Sequence, residues 1–316
     1  MKIKKMYKWL MVLVAVMGPL SAEAINGFQG NTWYDYRDES FSVEDKGSLA
    51  DPIVITTPEQ LAQLSYLVNE TDNTFAGKVV VLGADIDLSG SAYGDEPVQW
   101  IPIGKNASHS FQGVFIGTDP NQDGWKQSTH KISNIYINAK IPITKEYNKY
   151  LYKYGLFGYC CGFLGYMRLD GVEISARSEN PSYEAYDGYV GALCGYQTGT
   201  VVTAVDEGEK TFQVPVGIYA VSVTNAHLVA ENLLSMGGIV GMNGAYGVCH
   251  STFSGVIDAI PAVYSNLHDV GGICGLLKRD TKATLFDCAA QVTITGSNYT
   301  GGIVGSAQSG TRIEAC

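Results

Sequence analysis

The chain has 316 residues, of which 46% are hydrophobic and 16% are charged. This composition excludes an intrinsically disordered chain, and the length allows one large domain or two ordinary ones. The formal net charge of −10 makes nucleic acid and anionic membrane surfaces poor partners.

Residues 1–24 have the features of a secretory signal peptide. Four lysines within residues 2–8 precede an apolar run at 9–20, and an Ala-Glu-Ala cleavage site follows at 22–24. The run is too short to span a bilayer comfortably, so an uncleaved anchor is the weaker alternative. Cleavage leaves 17 basic and 30 acidic residues, a net charge of −13. We therefore expect a secreted or cell-surface protein with no membrane span in its mature part.

Segment 25–51 is polar and aromatic, and we expect a loosely structured lead-in there. Segment 52–150 begins with a short strand candidate and one clear helix. Thr57 is a good N-cap, Pro58 suits the first helical position, and Gln60 completes a capping box. One apolar face follows at helical spacing, formed by Leu61, Leu64, Leu67 and Val68. This helix is predicted to cap the strands that come after it.

Beyond Gly77 the pattern changes to short apolar runs bounded by Gly, Asn, Pro or Asp. Runs of this kind, rich in Ile, Val, Phe and Tyr, predict strands and turns. The Asn-Gly hairpin signal occurs only at Asn26-Gly27 and Asn243-Gly244, which is too rarely for an antiparallel meander.

Segment 151–316 contains five copies of one frame, small-small-apolar-apolar-Gly. The copies are YGLFG at 154–158, GALCG at 191–195, GGIVG at 237–241, GGICG at 271–275 and GGIVG at 301–305. Their final glycines, Gly158, Gly195, Gly241, Gly275 and Gly305, lie 37, 46, 34 and 30 residues apart, a period typical of stacked repeats. We expect a parallel β-solenoid in which these glycines mark tight corners and the apolar pair enters the core.

These residues resemble a known family. Five frames in order, behind DIDLSG at 85–90, WIPIG at 100–104 and FQGVFIG at 111–117, are similar to GLUG-motif repeat proteins. These are exported bacterial surface proteins, most familiar from Bacteroides-type gut bacteria (Bacteroidetes). The resemblance covers residues 50–316 and implies an all-β, right-handed parallel β-helix of the pectate-lyase-like kind, with a short N-terminal capping helix.

Two features limit this resemblance. GLUG segments accompany a catalytic unit in some IgA-cleaving metalloproteases, but no HExxH motif occurs here, so that activity is not carried over. The chain also stops at residues 312–316, where the last unit should begin its next strand. We expect a fragment of a longer protein or an incomplete last coil.

The seven cysteines lie at positions 160, 161, 194, 249, 274, 288 and 316, and no CxxC pair occurs among them. Cys194 and Cys274 occupy a frame position that Phe or Val holds in the other repeats, which predicts small buried apolar side chains. Cys249, Cys288 and Cys316 recur in a second element and predict a stacked thiol ladder. Disulfides between coils stay an alternative.

No catalytic motif is present, and no catalytic residue is assigned. Walker loops and G-x-S-x-G elbows are absent. Asp85 and Asp87 share one strand face, as carboxylates that cleave polysaccharides would. The simpler interpretation is a solvated strand face with Ile86 and Leu88 buried.

One metal site is indicated. Asp119, Asn121 and Asp123, followed by Gly124, match the first half of a calcium loop. The twelfth position is His130, a poor calcium ligand, so a polar turn is the alternative. Calcium is the one cofactor that the sequence suggests.

Tyrosines are concentrated between residues 147 and 196. Tyr183, Tyr186 and Tyr189 are candidates for ligand contact, because aromatic rings on a rigid scaffold suit sugars and proteins. The alternative is that these rings fill half-buried strand positions.

The sequence favours a non-catalytic exported protein that acts in adhesion or recognition of a host or cell-surface protein or glycan. A polysaccharide lyase or glycosidase on the same fold is one alternative. A structural spacer for a domain missing from this chain is the other.

Overall fold

The structure is a computed structural model. It describes residues 28, 30–121, 129–141, 152–178, 186–206, 210–231, 233–260, 269–278, 283–296 and 299–316. The predicted signal peptide lies outside these residues. Among them, no helix is long and apolar enough to cross a membrane.

The described residues are mostly β, as expected. The strands, in chain order, are β1 Ile53–Ile55, β2 Val79–Leu82, β3 Ile86–Asp87, β4 Val114–Ile116, β5 Lys131–Ser133, β6 Tyr136–Ile141, β7 Tyr152–Tyr154, β8 Phe157–Cys160, β9 Phe163–Asp170, β10 Glu173–Ser178, β11 Tyr186–Gly191, β12 Cys194–Thr198, β13 Val201–Val205, β14 Thr211–Pro215, β15 Ile218–Glu231, β16 Leu233–Gly237, β17 Val240–Gly244, β18 Gly247–Cys249, β19 Thr252–Ile260, β20 Asp269–Gly271, β21 Cys274–Leu277, β22 Thr284–Phe286, β23 Ala289–Thr295, β24 Tyr299–Gly301, β25 Val304–Ala307 and β26 Arg312–Glu314. They form sheets of 14, five, five and two strands. The three larger sheets consist of parallel pairs.

A helical cap covers the first strands. The α-helix α1, Pro58–Glu70, buries Leu61, Leu64 and Val68 completely, as its apolar spacing predicts. Thr57 accepts a hydrogen bond from the Gln60 amide, whereas the Gln60 side chain accepts from the Thr56 amide. The capping box therefore forms its first contact as predicted. Its second contact is displaced by one residue, because the Gln60 side chain accepts from the amide of Thr56 and not from that of Thr57.

The lead-in segment packs against this cap and differs from the loose segment that we expected. It contains a 3₁₀-helix, Trp33–Tyr36, and Trp33 is 1% exposed. The Tyr34 hydroxyl accepts a hydrogen bond from Asn69 Nδ2 at 2.6 Å. Asn69 Oδ1 in turn accepts from the Gly104 amide at 2.9 Å, so a satisfied polar network fixes the segment to α1 and to the first strands.

The five-residue frame connects the two five-stranded sheets. Strands β7, β11, β16, β20 and β24 end where the frame begins, and β8, β12, β17, β21 and β25 start at its fourth residue. The fourth residues pair in register and form a core row of Phe157, Cys194, Val240, Cys274 and Val304. Cys194 and Cys274 are fully buried there, as predicted.

The final glycine of each frame lies in a strand, one residue beyond the corner, and not at the corner itself. A Cβ at Gly241 would lie 2.6 Å from the Val190 nitrogen and 2.7 Å from the Gly195 oxygen. None of the five final glycines has a left-handed backbone. The motif therefore needs glycine because two backbones approach closely, and not because the chain bends at that residue.

A two-stranded antiparallel hairpin, β13–β14, lies outside the stacked sheets. Val202 and Ala204 of the hairpin are buried in a second apolar cluster with Val79, Val81 and Val114 of β2 and β4. Val205 also donates to the Gly77 carbonyl and accepts from the Leu49 amide. The hairpin is thus fixed to the first strands and to the lead-in segment.

Candidate functional surface

The outer surface of the 14-stranded sheet carries one continuous strip of paired residues, which we call the outer row. It consists of Val81, Ile116, Gly165, Tyr219, Cys249, Phe286 and Glu314. Adjacent members lie one strand apart, at about 4.8 Å. The row is aliphatic at Val81 and Ile116, and in the later strands it carries two aromatic residues, Tyr219 and Phe286.

The hairpin covers the aliphatic part of the outer row and leaves the aromatic part open. Val81 is completely buried and Ile116 is 7% exposed. By contrast, Phe286 is 39% exposed, and Tyr246, which precedes β18, is 49% exposed. Exposed aromatic side chains that adjoin one another on a rigid sheet form a candidate contact surface.

A groove of about 250 Å³ lies where the hairpin ends. Its lining is Phe163, Pro215, Val216, Gly217, Ile218, Tyr219, Tyr246, Gly247 and Cys249. No charged side chain is among them. An apolar groove with two tyrosine hydroxyls can hold apolar or aromatic groups and offer a few hydrogen bonds.

Four rings pack in sequence beside this groove and form an aromatic cluster. Tyr166 and Tyr219 have ring centroids 5.3 Å apart, Tyr219 and His250 lie at 4.9 Å, and His250 and Phe286 lie at 5.4 Å. Burial, then the neighbouring Tyr219, raises the pKa of Tyr166. Because each ring supports the next, the rings keep their positions without a ligand.

A polar network occupies a separate part of the same sheet surface. The Lys131 amide donates to Asp85 at 2.9 Å, and this bond is the main reason why the pKa of Asp85 is lowered. The Lys131 ammonium lies 3.4 Å from Asp170, whose pKa is lowered by bonds from Asn225 and Thr224. Lys131 thus contacts two acids, Asp85 through its amide and Asp170 through its ammonium group.

Asp87 belongs to the same network. Burial alone would raise its pKa, but hydrogen bonds from Asn134 and Ser89 outweigh burial and lower it. Ile86 and Leu88 are buried on the opposite face, as predicted. All three carboxyl groups thus have lowered pKa values, which favours their ionised form, whereas a general acid needs a raised one.

The predicted calcium loop is described only in part. Asp119 accepts a hydrogen bond from the Asn121 amide, and Asn121 Nδ2 donates to the Leu49 carbonyl. Asp123 lies outside the described residues. Among those that are described, no group of three or more His, Cys, Asp or Glu side chains could hold a metal ion.

Two of the three tyrosines predicted to contact a ligand, Tyr186 and Tyr189, lie on β11 in one of the five-stranded sheets. Tyr183 is outside the described residues, and Tyr186 begins β11. Tyr189 is 7% exposed, with its ring 5.2 Å from that of Tyr196, so little of its surface can reach a ligand. The exposed rings of Tyr246 and Phe286 were not predicted, because their position depends on how distant strands pair.

The cysteines are unpaired thiols. Cys160 is buried and Cys161 only partly buried, as alternation predicts. The predicted ladder of Cys249, Cys288 and Cys316 is wrong at its first member, because Cys249 pairs with Phe286 and lies in the outer row.

Comparisons with known proteins are sparse. No family model matches the chain, and no curated protein matches it. One solved structure is similar, that of a putative immunoglobulin A1 protease from Bacteroides ovatus, with 18% identity and a TM-score of 0.45. The similarity covers 85% of this chain and 76% of that one. The name describes the neighbour and not this chain.

Proposed function

We propose that this chain is an exported, non-catalytic recognition protein that binds a surface protein or glycan. Its proposed fold is a right-handed parallel β-helix of the GLUG-motif type, capped at one end by α1. The in-register parallel sheets and the five frames support the fold. The signal-peptide pattern at residues 1–24 supports export.

The observation that carries the proposal is the exposure of two aromatic rings beside the uncovered part of the outer row. Tyr246 and Phe286 are exposed beside an apolar groove, whereas the aliphatic half of the row is covered by the chain's own hairpin. Leaving large aromatic groups in water costs about 25 cal/mol per Å² relative to burying them. A binding partner would recover this energy.

A polysaccharide-active enzyme is the second candidate, and the polar network is what favours it. Asp85, Asp170 and Lys131 lie on one surface, as such an enzyme requires. Two features weigh against it. The pKa values of Asp85 and Asp170 are lowered, whereas a glycosidase needs one carboxyl group with a raised pKa, and the Asp85 side chain is 59% exposed rather than enclosed in a cleft.

The two candidates are separated by paired variants of one protein. Tyr246→Ala with Phe286→Ala removes the open rings, and Asp85→Asn with Asp87→Asn removes the acids. Wild type and both variants are tested on a glycan array, on a panel of extracellular-matrix proteins and mucins, and for release of polysaccharide fragments.

Recognition predicts binding that the aromatic variant loses and the acid variant keeps, without fragment release. Fragment release that the acid variant loses would establish the enzyme instead. Absence of both binding and release would leave the spacer as the function.

Calcium binding at residues 119–123 is tested in the same protein by titration calorimetry.

A further inference from the structure

The hairpin has one edge that is used and one that is open. The N–H and C=O of Val205 on β13 bond to Gly77 and Leu49, so this edge faces the first strands. The other side of β13 pairs with β14. Within the part of the chain that the structure describes, no strand pairs with the far side of β14.

The register identifies the groups on that open edge. In an antiparallel pair, backbone groups point alternately toward the partner strand and away from it. The backbone N–H and C=O of Val205 both point away from β14. The backbone N–H and C=O of its partner, Thr211, therefore point away from β13. Alternation places Gln213 and Pro215 on the same open edge. Because Pro215 has no N–H, the free donors on the open edge are the backbone amides of Thr211 and Gln213.

Only Pro215, at the end of β14, protects this edge. Natural proteins shield open strands with charged residues, prolines or a bulge. The strand reads Thr-Phe-Gln-Val-Pro, without a charge and with its proline at the last position. Phe212 and Val214 pack toward the second apolar cluster, which leaves Thr211 and Gln213 exposed.

The open edge leads directly into the apolar groove. Pro215 ends β14, and Pro215 and Val216 line the groove together with Tyr219 and Tyr246. The chain itself shows how this surface is covered. On the adjoining part of the outer row, an extended strand places alternate small apolar side chains, Val202 and Ala204, on the sheet.

We propose that the open edge of β14 and the groove bind an extended segment of a partner protein. The segment adds a third strand beside β14 and places alternate apolar side chains on Tyr219 and Tyr246. A glycan has no row of amides and carbonyls to pair with Gln213, and the groove offers it few polar groups. This assignment rests on the recognition function and names its partner class.

The test uses random linear peptides displayed on phage, selected against the folded full chain. Gln213→Pro removes one edge donor and leaves the β13–β14 hydrogen bonds intact, since Pro is tolerated at such edge positions. Gln213→Ala is the matched control, because it keeps the donor. Tyr246→Asp alters the groove and leaves the edge unchanged.

We expect enriched peptides with apolar residues at alternate positions. Their affinity should fall about tenfold or more for Gln213→Pro and for Tyr246→Asp, and stay unchanged for Gln213→Ala. If Gln213→Pro does not fold, two measurements decide between the outcomes. They are the peptide affinity of Tyr246→Asp and the shift of the Gln213 amide signal in NMR when the peptide is added.

Three results would overturn the assignment. They are peptides without alternation, affinity that the variants leave unchanged, and a dimer of the chain that Gln213→Pro abolishes, since the occupant would then be a second copy. Glycan binding without peptide binding would overturn this assignment and leave the recognition function in place.

Discussion

The side chain of Asn243 donates a hydrogen bond to Gln197 Oε1, at 3.1 Å, across two adjacent repeats. Both side chains are completely buried. Gln197 donates onward to the Gly162 carbonyl, and Asn243 accepts from the Ala245 amide. A row of hydrogen-bonded side-chain amides therefore runs through the apolar core. The row stops at Asn243, because Leu277 occupies the equivalent position of the next repeat.

Replacing Asn243 with Leu should destabilise the protein by about 1–3 kcal/mol, because the buried Gln197 oxygen loses the hydrogen bond that Asn243 donates to it. Urea unfolding measures the change. The double variant Gln197→Leu/Asn243→Leu is the control. Its loss should be smaller than the sum of the single losses, and simple additivity would contradict a coupled pair.

Gly241→Ala should destabilise the fold by about 1–3 kcal/mol or more, since the new Cβ would meet backbone atoms of two neighbouring strands. Gly302→Ala, in the last copy of the frame, is the control, because nothing lies within 4 Å of a Cβ there. Thermal unfolding should separate the two variants clearly. Equal melting temperatures would show that the strands around Gly241 move apart with little loss of stability.

Stability should fall in acid through Asp258. Its pKa is lowered below the ordinary 3.8 by the bond from Thr295, and then by the bond from His227. A lowered pKa gives stability that is present above the unfolded value and lost as pH falls through the folded one. Asp258→Asn should therefore lower the melting temperature at pH 6 more than at pH 2. An equal effect at both pH values would argue against the linkage.

Thiol labelling should follow burial. Burial raises the pKa of Cys274 to about 12 and that of Cys288 to about 12, so neither reacts readily at pH 8 in the folded chain. Cys316 is exposed and should react first. Mass spectrometry after brief alkylation identifies the sites. Rapid labelling of Cys274 would contradict a closed core, and an unlabelled Cys316 would indicate a disulfide.

Local patterns predicted the local structure. The helix α1 follows from the Thr57 cap and from Leu61 and Leu64, which lie within one segment. The buried Cys194 and Cys274 follow from comparing frames of the same length. In both cases the pattern lies within one short segment, a single helix or a single five-residue frame.

Features that depend on register between distant strands were missed. Cys249 pairs with Phe286 and not with Cys288. In the later repeat the residue of the outer row is Phe286, and the cysteine lies two positions after it. The hairpin was missed because its tip has no Asn-Gly or Asp-Gly signal. The open aromatic surface requires both facts, so the sequence did not predict it.

The hairpin also sets an order of events during synthesis. Val79 and Val114 leave the ribosome long before Val202, which covers their outer face. Until about one hundred more residues are made, the first strands present an uncovered apolar surface to the cell. An exported chain that is kept unfolded until it has crossed the membrane avoids this exposure. Under the proposed export, slowing translocation should therefore cause aggregation that begins in the first strands and that replacing Val79 with Thr reduces.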